Sequence, residues 1–323
     1  MEKNPGADLK SATEARDNKK LFIETYGCQM NFADSEIVGS VLMKAGYEIV
    51  SEIENADYVL INTCAIRDNA EQRIRKRLRE LRAFQSKHSN LRVGILGCMA
   101  ERLQHQLLEQ EENVCFGVGP DAYRKLPQIL EQVRNGIRTA EVELDVDETY
   151  SDIIPVRYNG NGISAYISIM RGCQNFCSYC VVPYTRGRER SRSPQTIVDE
   201  ARDLVSKGYK EVTLLGQNVN SYKSGDVDFP KLITMVAEVD PKLRVRFATS
   251  HPKDLSDELI YAMRDCEKVC KHMHLPLQSG SSNILKVMNR HYDKEKYICS
   301  LWFRFSYDRF CTECIRCRTC VGQ

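Results

Sequence analysis

Four short apolar runs alternate with helical patterns in the first part of the chain, and this alternation limits the available folds more than any other feature. The runs are Leu21-Phe22-Ile23-Glu24-Thr25-Tyr26, Tyr58-Val59-Leu60-Ile61-Asn62-Thr63, Arg92-Val93-Gly94-Ile95-Leu96-Gly97 and Asn113-Val114-Cys115-Phe116-Gly117-Val118. Helical spacing of apolar residues is visible over Ser35 to Met43 and Tyr123 to Val133. Near-continuous apolar strands separated by helices predict a parallel sheet covered on both faces. The first three runs lead directly into Cys28, Cys64 and Cys98. Ligands of open parallel sheets gather at the carboxyl edge, so these three thiols are expected to converge there. The competing reading, a small buried hydrophobe, suits one such cysteine better than three in equivalent places.

A second alternation follows. The acidic stretch from Glu141 to Glu148, then Pro155 and Asn159-Gly160-Asn161-Gly162, reads as a linker with a boundary near residue 150. The expected organisation is a polar tail over residues 1–20, an amino-terminal unit over 21–147 and a second unit over 148–297. In the latter, strands are predicted at Ala165–Met170, Glu211–Leu215, Arg244–Ala248 and Met273–Leu277, with helices around 194–207, 229–238 and 255–264. The fold class is therefore α/β: an open parallel-sheet, Rossmann-like unit followed by a partial (β/α) barrel with too few units to close.

Composition narrows the function classes. The 323 residues are 42% hydrophobic and 28% charged, without an apolar run long enough to span a bilayer. The polar first twenty residues lack the apolar core of a secretory signal, so a cytoplasmic chain without membrane attachment is expected. A net charge of +2 confines any nucleic-acid contact to local patches. Fourteen cysteines in a reducing compartment point to metal or redox chemistry rather than disulfides.

Cys173-x-x-x-Cys177-x-x-Cys180 follows the first strand of the second unit. Three thiolates at this spacing suit a cubane [4Fe-4S] cluster and leave one iron open for a small molecule. Zinc is the alternative, but a structural zinc site wants four closed ligands and no fourth is near. This loop resembles that of the radical S-adenosylmethionine (SAM) superfamily. Tyr26-Gly27-Cys28-Gln29-Met30-Asn31 with Asp34-Ser35-Glu36, Asn62-Thr63-Cys64-Ala65-Ile66-Arg67 and Gly97-Cys98-Met99-Ala100 narrow the resemblance to the methylthiotransferases. Val182-Pro183-Tyr184-Thr185-Arg186-Gly187-Arg188-Glu189 and Gly216-Gln217-Asn218-Val219-Asn220-Ser221-Tyr222 resemble those members that act on isopentenyladenosine in tRNA.

The resemblance implies a two-cluster transferase. Cys173, Cys177 and Cys180 would hold the cluster that chelates and reductively cleaves SAM; Cys28, Cys64 and Cys98 would hold a second cluster that supplies sulfur. One SAM would methylate that sulfur, and a second would generate the radical that activates C2 of the adenine at position 37 of tRNA. Sister enzymes acting on threonylcarbamoyladenosine tRNA or on a ribosomal protein remain alternatives, as does a noncatalytic iron–sulfur protein that binds tRNA. A flavodoxin- or ferredoxin-type electron donor and a monomeric state are expected. Gln217 and Asn218 after the second strand, Ser250 after the third, and Gln278 and Ser279 after the fourth are candidates for holding SAM, with turn roles as the alternative. Arg186, Arg188 and Arg190, and the basic stretch from Arg67 to Arg82, are candidates for tRNA contact; the stretch also reads as an ion-paired surface helix.

The pattern breaks after Tyr297. Residues 298–323 carry five of the fourteen cysteines and the only tryptophan, Trp302. Cys311-x-x-Cys314-x-x-Cys317-x-x-Cys320 resembles part of a ferredoxin run, but the abrupt change is read as a frameshifted continuation. It replaces the remaining barrel strands and the carboxyl-terminal RNA-binding domain, of the TRAM type, that the resemblance implies.

Overall fold

A computed structural model describes residues 19–64, 68–158 and 160–298. The Cys-rich segment, Trp302 and the polar tail before residue 19 lie outside the described residues, as does Arg67.

Six parallel strands form the first sheet: β1 (Lys20–Tyr26), β2 (Glu48–Ile49), β3 (Tyr58–Thr63), β4 (Arg92–Leu96), β5 (Val114–Val118) and β6 (Thr139–Glu141), in the spatial order β2-β1-β3-β4-β5-β6. All six residues of β3 are buried, as its unbroken apolar sequence requires of a central strand. Helices α1 (Gln29–Lys44) and α5 (Leu126–Arg134) cover one face through Ile37, Val38, Leu42, Ile129 and Leu130. Helices α2 (Asp68–Gln85), α3 (Cys98–Leu103) and α4 (His105–Gln110) cover the other through Ile74, Leu78, Met99 and Leu107. The order reverses between β1 and β3, so a topological switch point lies at their carboxyl ends.

The segment expected to be a linker is instead packed. Thr139–Glu141 extends the sheet as edge strand β6, and Tyr150 and Ile153 enter the amino-terminal core. The chain thus leaves the first unit past residue 153.

The second unit is built on the parallel strands β7 (Ser164–Ser168), β10 (Glu211–Leu215) and β13 (Arg244–Ala248), with β10 in the middle. Short antiparallel pairs join β8 (Met170–Arg171) to β9 (Arg190–Ser191) and β11 (Lys223–Ser224) to β12 (Val227–Asp228). Helix α6 (Val182–Thr185) follows the cysteine loop; α7 (Pro194–Ser206), α8 (Phe229–Ala237) and α9 (Asp257–Asp265) pack their apolar faces on the sheet, and α10 (Ser282–Val287) follows them. The expected fourth strand at Met273–Leu277 is absent from the sheet; an isolated bridge between Val245 and Val269 stands beside β13 instead. Pro276 has no N–H to donate, and the carbonyls of Leu275 and Leu277 accept the hydroxyls of Tyr297 and Tyr292 at 2.8 and 2.7 Å, which takes this segment out of a ladder.

The two units meet across α1, where Met30 and Ala33 pack on Leu215 with Tyr166 and Ala248 alongside. Among the described residues no helix is long and apolar enough to cross a membrane.

Candidate functional site

The register of the first sheet aligns its cysteines. Tyr26 pairs with Thr63 and Asn62 with Leu96, so Cys28, Cys64 and Cys98 emerge one or two residues later at the same carboxyl edge, around the switch point. Gly27 and Gly97 turn the chain with φ of +120° and +84°. At Gly97 a Cβ would stand 2.5 Å from Asn62 Oδ1 and 2.9 Å from the Thr63 carbonyl, so only glycine brings the backbone this close. Beneath the thiols lies a buried amide cradle. Asn31 Nδ2 donates to Asn62 Oδ1 at 3.1 Å, Asn62 Nδ2 donates to the Asn31 carbonyl and to Ser35 Oγ, and Cys28 Sγ donates to Asn31 Oδ1 at 3.2 Å.

Cys28 is exposed while Cys64 and Cys98 are buried. Cys64 interacts with both of the others: hydrogen bonding to it lowers Cys28 and Cys98 to about 6, and the Arg186 charge adds to both, whereas Cys64 itself is raised. Three sulfurs, two of them with lowered pKa, form a sulfur-rich donor set suited to iron.

The second group forms on the loop after β8. Cys173 and Cys177 are buried and Cys180 is half-buried. Burial raises Cys173 to about 11 and also raises Cys180; the neighbouring cysteines add to each. Gly172, with φ of +78°, lies so close to the Arg188 carbonyl that a Cβ there would be 1.9 Å from its oxygen. Arg290 is buried and donates from Nη1 to Cys177 Sγ at 3.2 Å and to the Tyr179 hydroxyl at 3.3 Å. Among the described residues no three His, Cys, Asp or Glu side chains surround a single point as a mononuclear metal would need. In a cubane each thiolate binds a separate iron and three thiols are enough for one cluster, whereas a closed zinc site wants four ligands.

The first group sits in a match to the model described as Uncharacterized protein family UPF0004, over residues 20–119, and the second in a match to the Radical SAM superfamily over residues 167–301. The tRNA-2-methylthio-N(6)-dimethylallyladenosine synthases of Bacteroides fragilis and Flavobacterium johnsoniae are 57% and 50% identical to the chain, covering 92% of it and 66% of their own length. The chain belongs to the radical SAM methylthiotransferase family. It spans about two thirds of the length of these relatives. Solved structures share the fold at low identity. The radical S-adenosylmethionine methyltransferase TsrM of Kitasatospora setae, with tryptophan and a SAM analog bound, superposes with a TM-score of 0.64 at 14% identity, over 91% of this chain and 66% of that one. The cobalamin-dependent enzyme OxsB gives 0.62 at 12%, over 88% and 47%.

In this methylthiotransferase chain the candidate SAM ligands divide in two. Gln217 and Asn218 follow β10 and Ser250 follows β13, at one edge of the sheet. Among the described residues, Gln217 Oε1, Asn218 Oδ1, Ser250 Oγ and His251 Nε2 are buried without a hydrogen-bond partner. Such a set of orphan polar atoms is what a bound polar ligand would satisfy. His251 was visible in the sequence beside Ser250 and joins the set here. Its Nδ1 accepts the Lys253 N–H, and burial, helped by Arg290, lowers it to about 3, so the ring is neutral. His251 stands edge-on to Tyr292, which accepts from Arg290, and so the set connects to Cys177. Gln278 is exposed in a turn and Ser279 accepts from the Ser281 N–H; neither contributes to the orphan set.

The arginines expected to meet substrate also divide. Arg186 and Arg190 are buried. Arg186 donates to Asp34 at 2.8 Å, and Arg190 to both oxygens of Asp121 at 2.9 and 3.0 Å. Arg171 completes the network by donating to Asp34 at 2.8 Å and to the Pro120 carbonyl. Burial raises the Asp34 carboxyl, but Arg171 and Arg186 outweigh it and hold the group below the usual range. These ion pairs join the two units, and Arg188 alone of the three is exposed. On α2, Arg75 and Arg77 are committed to Glu71, Glu111, Glu24 and Glu80, which is the ion-paired reading. Arg73, Lys76 and Arg79 are exposed at three-residue spacing and have no acidic partner among the described residues.

Proposed function

We propose that the chain carries the catalytic units of a methylthiotransferase that places a methylthio group on C2 of N6-isopentenyladenosine at position 37 of tRNA. The observation that supports this most is the pair of distinct cysteine groups at the carboxyl ends of two adjoining parallel sheets, only one of which accompanies the orphan polar set. Cys173, Cys177 and Cys180 would hold one [4Fe-4S] cluster, and Cys28, Cys64 and Cys98 a second. Clusters bound there supply an open iron for SAM, the electron for its cleavage, and the sulfur that is transferred.

The protein's own residues prepare both sites. Arg290 steers Cys177 by its N–H···S bond. Asn218, Ser250 and neutral His251 offer buried polar atoms to SAM, with Gln217 beside them. Burial of two of the three thiols in each group limits water. Arg188 and the exposed face of α2 are the basic groups left to neutralise tRNA phosphates. A small flavodoxin- or ferredoxin-type protein as electron donor, a cytoplasmic location and a monomeric state complete the reading.

Anaerobic incubation with SAM and a reductant should yield 5′-deoxyadenosine, and mass spectrometry should find the methylthio group on tRNA carrying isopentenyladenosine. A methylthio group found only on threonylcarbamoyladenosine tRNA, or only on a ribosomal protein, would assign the chain to a sister activity. SAM left uncleaved by a fully iron-loaded chain would favour a binding protein.

A further inference from the structure

The arginine that closes the domain interface also faces the amino-terminal thiols. Arg186 caps the carboxyl end of α6, its N–H donating to the Val182 carbonyl at 2.8 Å. Helix α6 packs against α3, which begins at Cys98. The guanidinium is 3% exposed and spends Nη2 on Asp34. Nη1 is buried and, among the described residues, makes no hydrogen bond of good geometry, while hydrogen bonding with Arg186 as well as its charge lowers the Cys98 thiol. An unpaired guanidinium N–H costs free energy unless an anion answers it. The groups beside it that can carry negative charge are Asp34, already bonded through Nη2, Asp121, bonded by Arg190, and the Cys98 and Cys28 thiols, which feel its charge.

We infer that Arg186, supplied by the SAM-side unit, is a positioning residue of the amino-terminal site: its free Nη1–H donates to a sulfur of the cluster held by Cys28, Cys64 and Cys98, and raises the potential at which that cluster accepts an electron. The inference rests on the reading that these three cysteines hold a cluster. Reduction adds one negative charge to the cluster, and a nearby N–H donor with a positive charge stabilises the reduced form more than the oxidised form. Arg186 lies six residues beyond Cys180, so one short segment carries ligands of one cluster and a donor to the other.

The test uses the full chain with Cys173, Cys177 and Cys180 replaced by alanine, so that only the amino-terminal cluster can form. Electron paramagnetic resonance then follows its reduction in a potential titration, with Arg186 intact, as Arg186→Gln and as Arg186→Lys. Arg190→Lys, in the same ion-pair network but with its charge paired to Asp121 and only a bond to the Arg186 backbone carbonyl, is the control. At the potential that half-reduces the cluster beside Arg186, we expect Arg186→Gln to lower the ratio of reduced to oxidised cluster on the order of tenfold. Arg186→Lys should recover part of that loss, and Arg190→Lys should leave the ratio unchanged. Loss of the cluster from the Arg186 variants with retention in Arg190→Lys would also support the assignment. An unchanged ratio in Arg186→Gln, or equal loss of the cluster in all three variants, would overturn it while leaving the two-cluster reading intact. If the chain with Arg186 intact takes up no iron in this background, the cluster reading fails and the inference falls with it.

Discussion

Gly97 concentrates the local demands of the site in one residue. Its φ of +84° lies where a side chain is strained, and the space a Cβ would need is filled by Asn62 Oδ1 and the Thr63 carbonyl. Gly97→Ala is expected to cost about 1–3 kcal/mol in chemical denaturation and to lower iron bound at the amino-terminal site, because it pushes Cys98 away from Cys64. Unchanged stability and iron would mean the turn is not constrained as described. The cysteines were legible in the sequence because each follows an apolar run or stands in a short-spaced set. Asp34, Asn31 and Asn62 were legible only as parts of motifs. Their roles depend on burial against partners far along the chain, as with Asp34 and Arg186, 152 positions apart. The same distance explains why Arg186 and Arg190 looked like a surface patch: a run of arginines reads as basic until its buried carboxylates are in view.

At the level of elements, apolar period and capping account for most of what formed. Helix α8 begins at Asp228, whose carboxylate accepts the Lys231 N–H at 3.0 Å, and buries Phe229, Leu232, Ile233 and Val236. Asp228→Ala should destabilise the chain by about 1 kcal/mol, measured by urea denaturation, with no change in iron content. A loss under a few tenths would show that the cap is redundant with packing. Strands β3, β4 and β5 and helices α7 to α9 follow the sequence pattern closely because each buries a continuous face. Strand β6 did not announce itself, since three edge residues beside an acidic run carry almost no periodic signal. Met273–Leu277 had the apolar signal of a strand, but its carbonyls are spent on tyrosine hydroxyls. Helix α1 starts at Gln29, earlier than its apolar spacing suggested, because buried polar residues Asn31, Asp34 and Ser35 occupy its first turns.

For the whole molecule, the interface between the two units is electrostatic as much as apolar. Arg157 joins Glu36 of α1 to Glu200 of α7, the latter at 2.7 Å. Burial raises the Glu36 carboxyl to about 7 despite Arg157. A carboxyl whose folded pKa exceeds its unfolded value of 4.5 binds its proton more tightly in the native state. Its contribution is therefore fully present below about pH 4.5 and is lost as pH rises through about 7. Denaturation between pH 5 and 8 should show the natural chain losing up to about 3 kcal/mol relative to Glu36→Gln across that window. Parallel pH profiles would contradict the assignment. The same interface brings Arg186 of the second unit against the amino-terminal thiols, as the proposed use of both cysteine groups in one reaction requires.

The central claim is that one chain holds two independent clusters, and iron with acid-labile sulfide per chain after anaerobic reconstitution tests it most directly. About eight irons are expected, each cubane contributing about four, and about four when either Cys28, Cys64 and Cys98 or Cys173, Cys177 and Cys180 are replaced together by alanine. About four irons that survive replacement of Cys28, Cys64 and Cys98 would contradict the claim and leave a single-cluster chain.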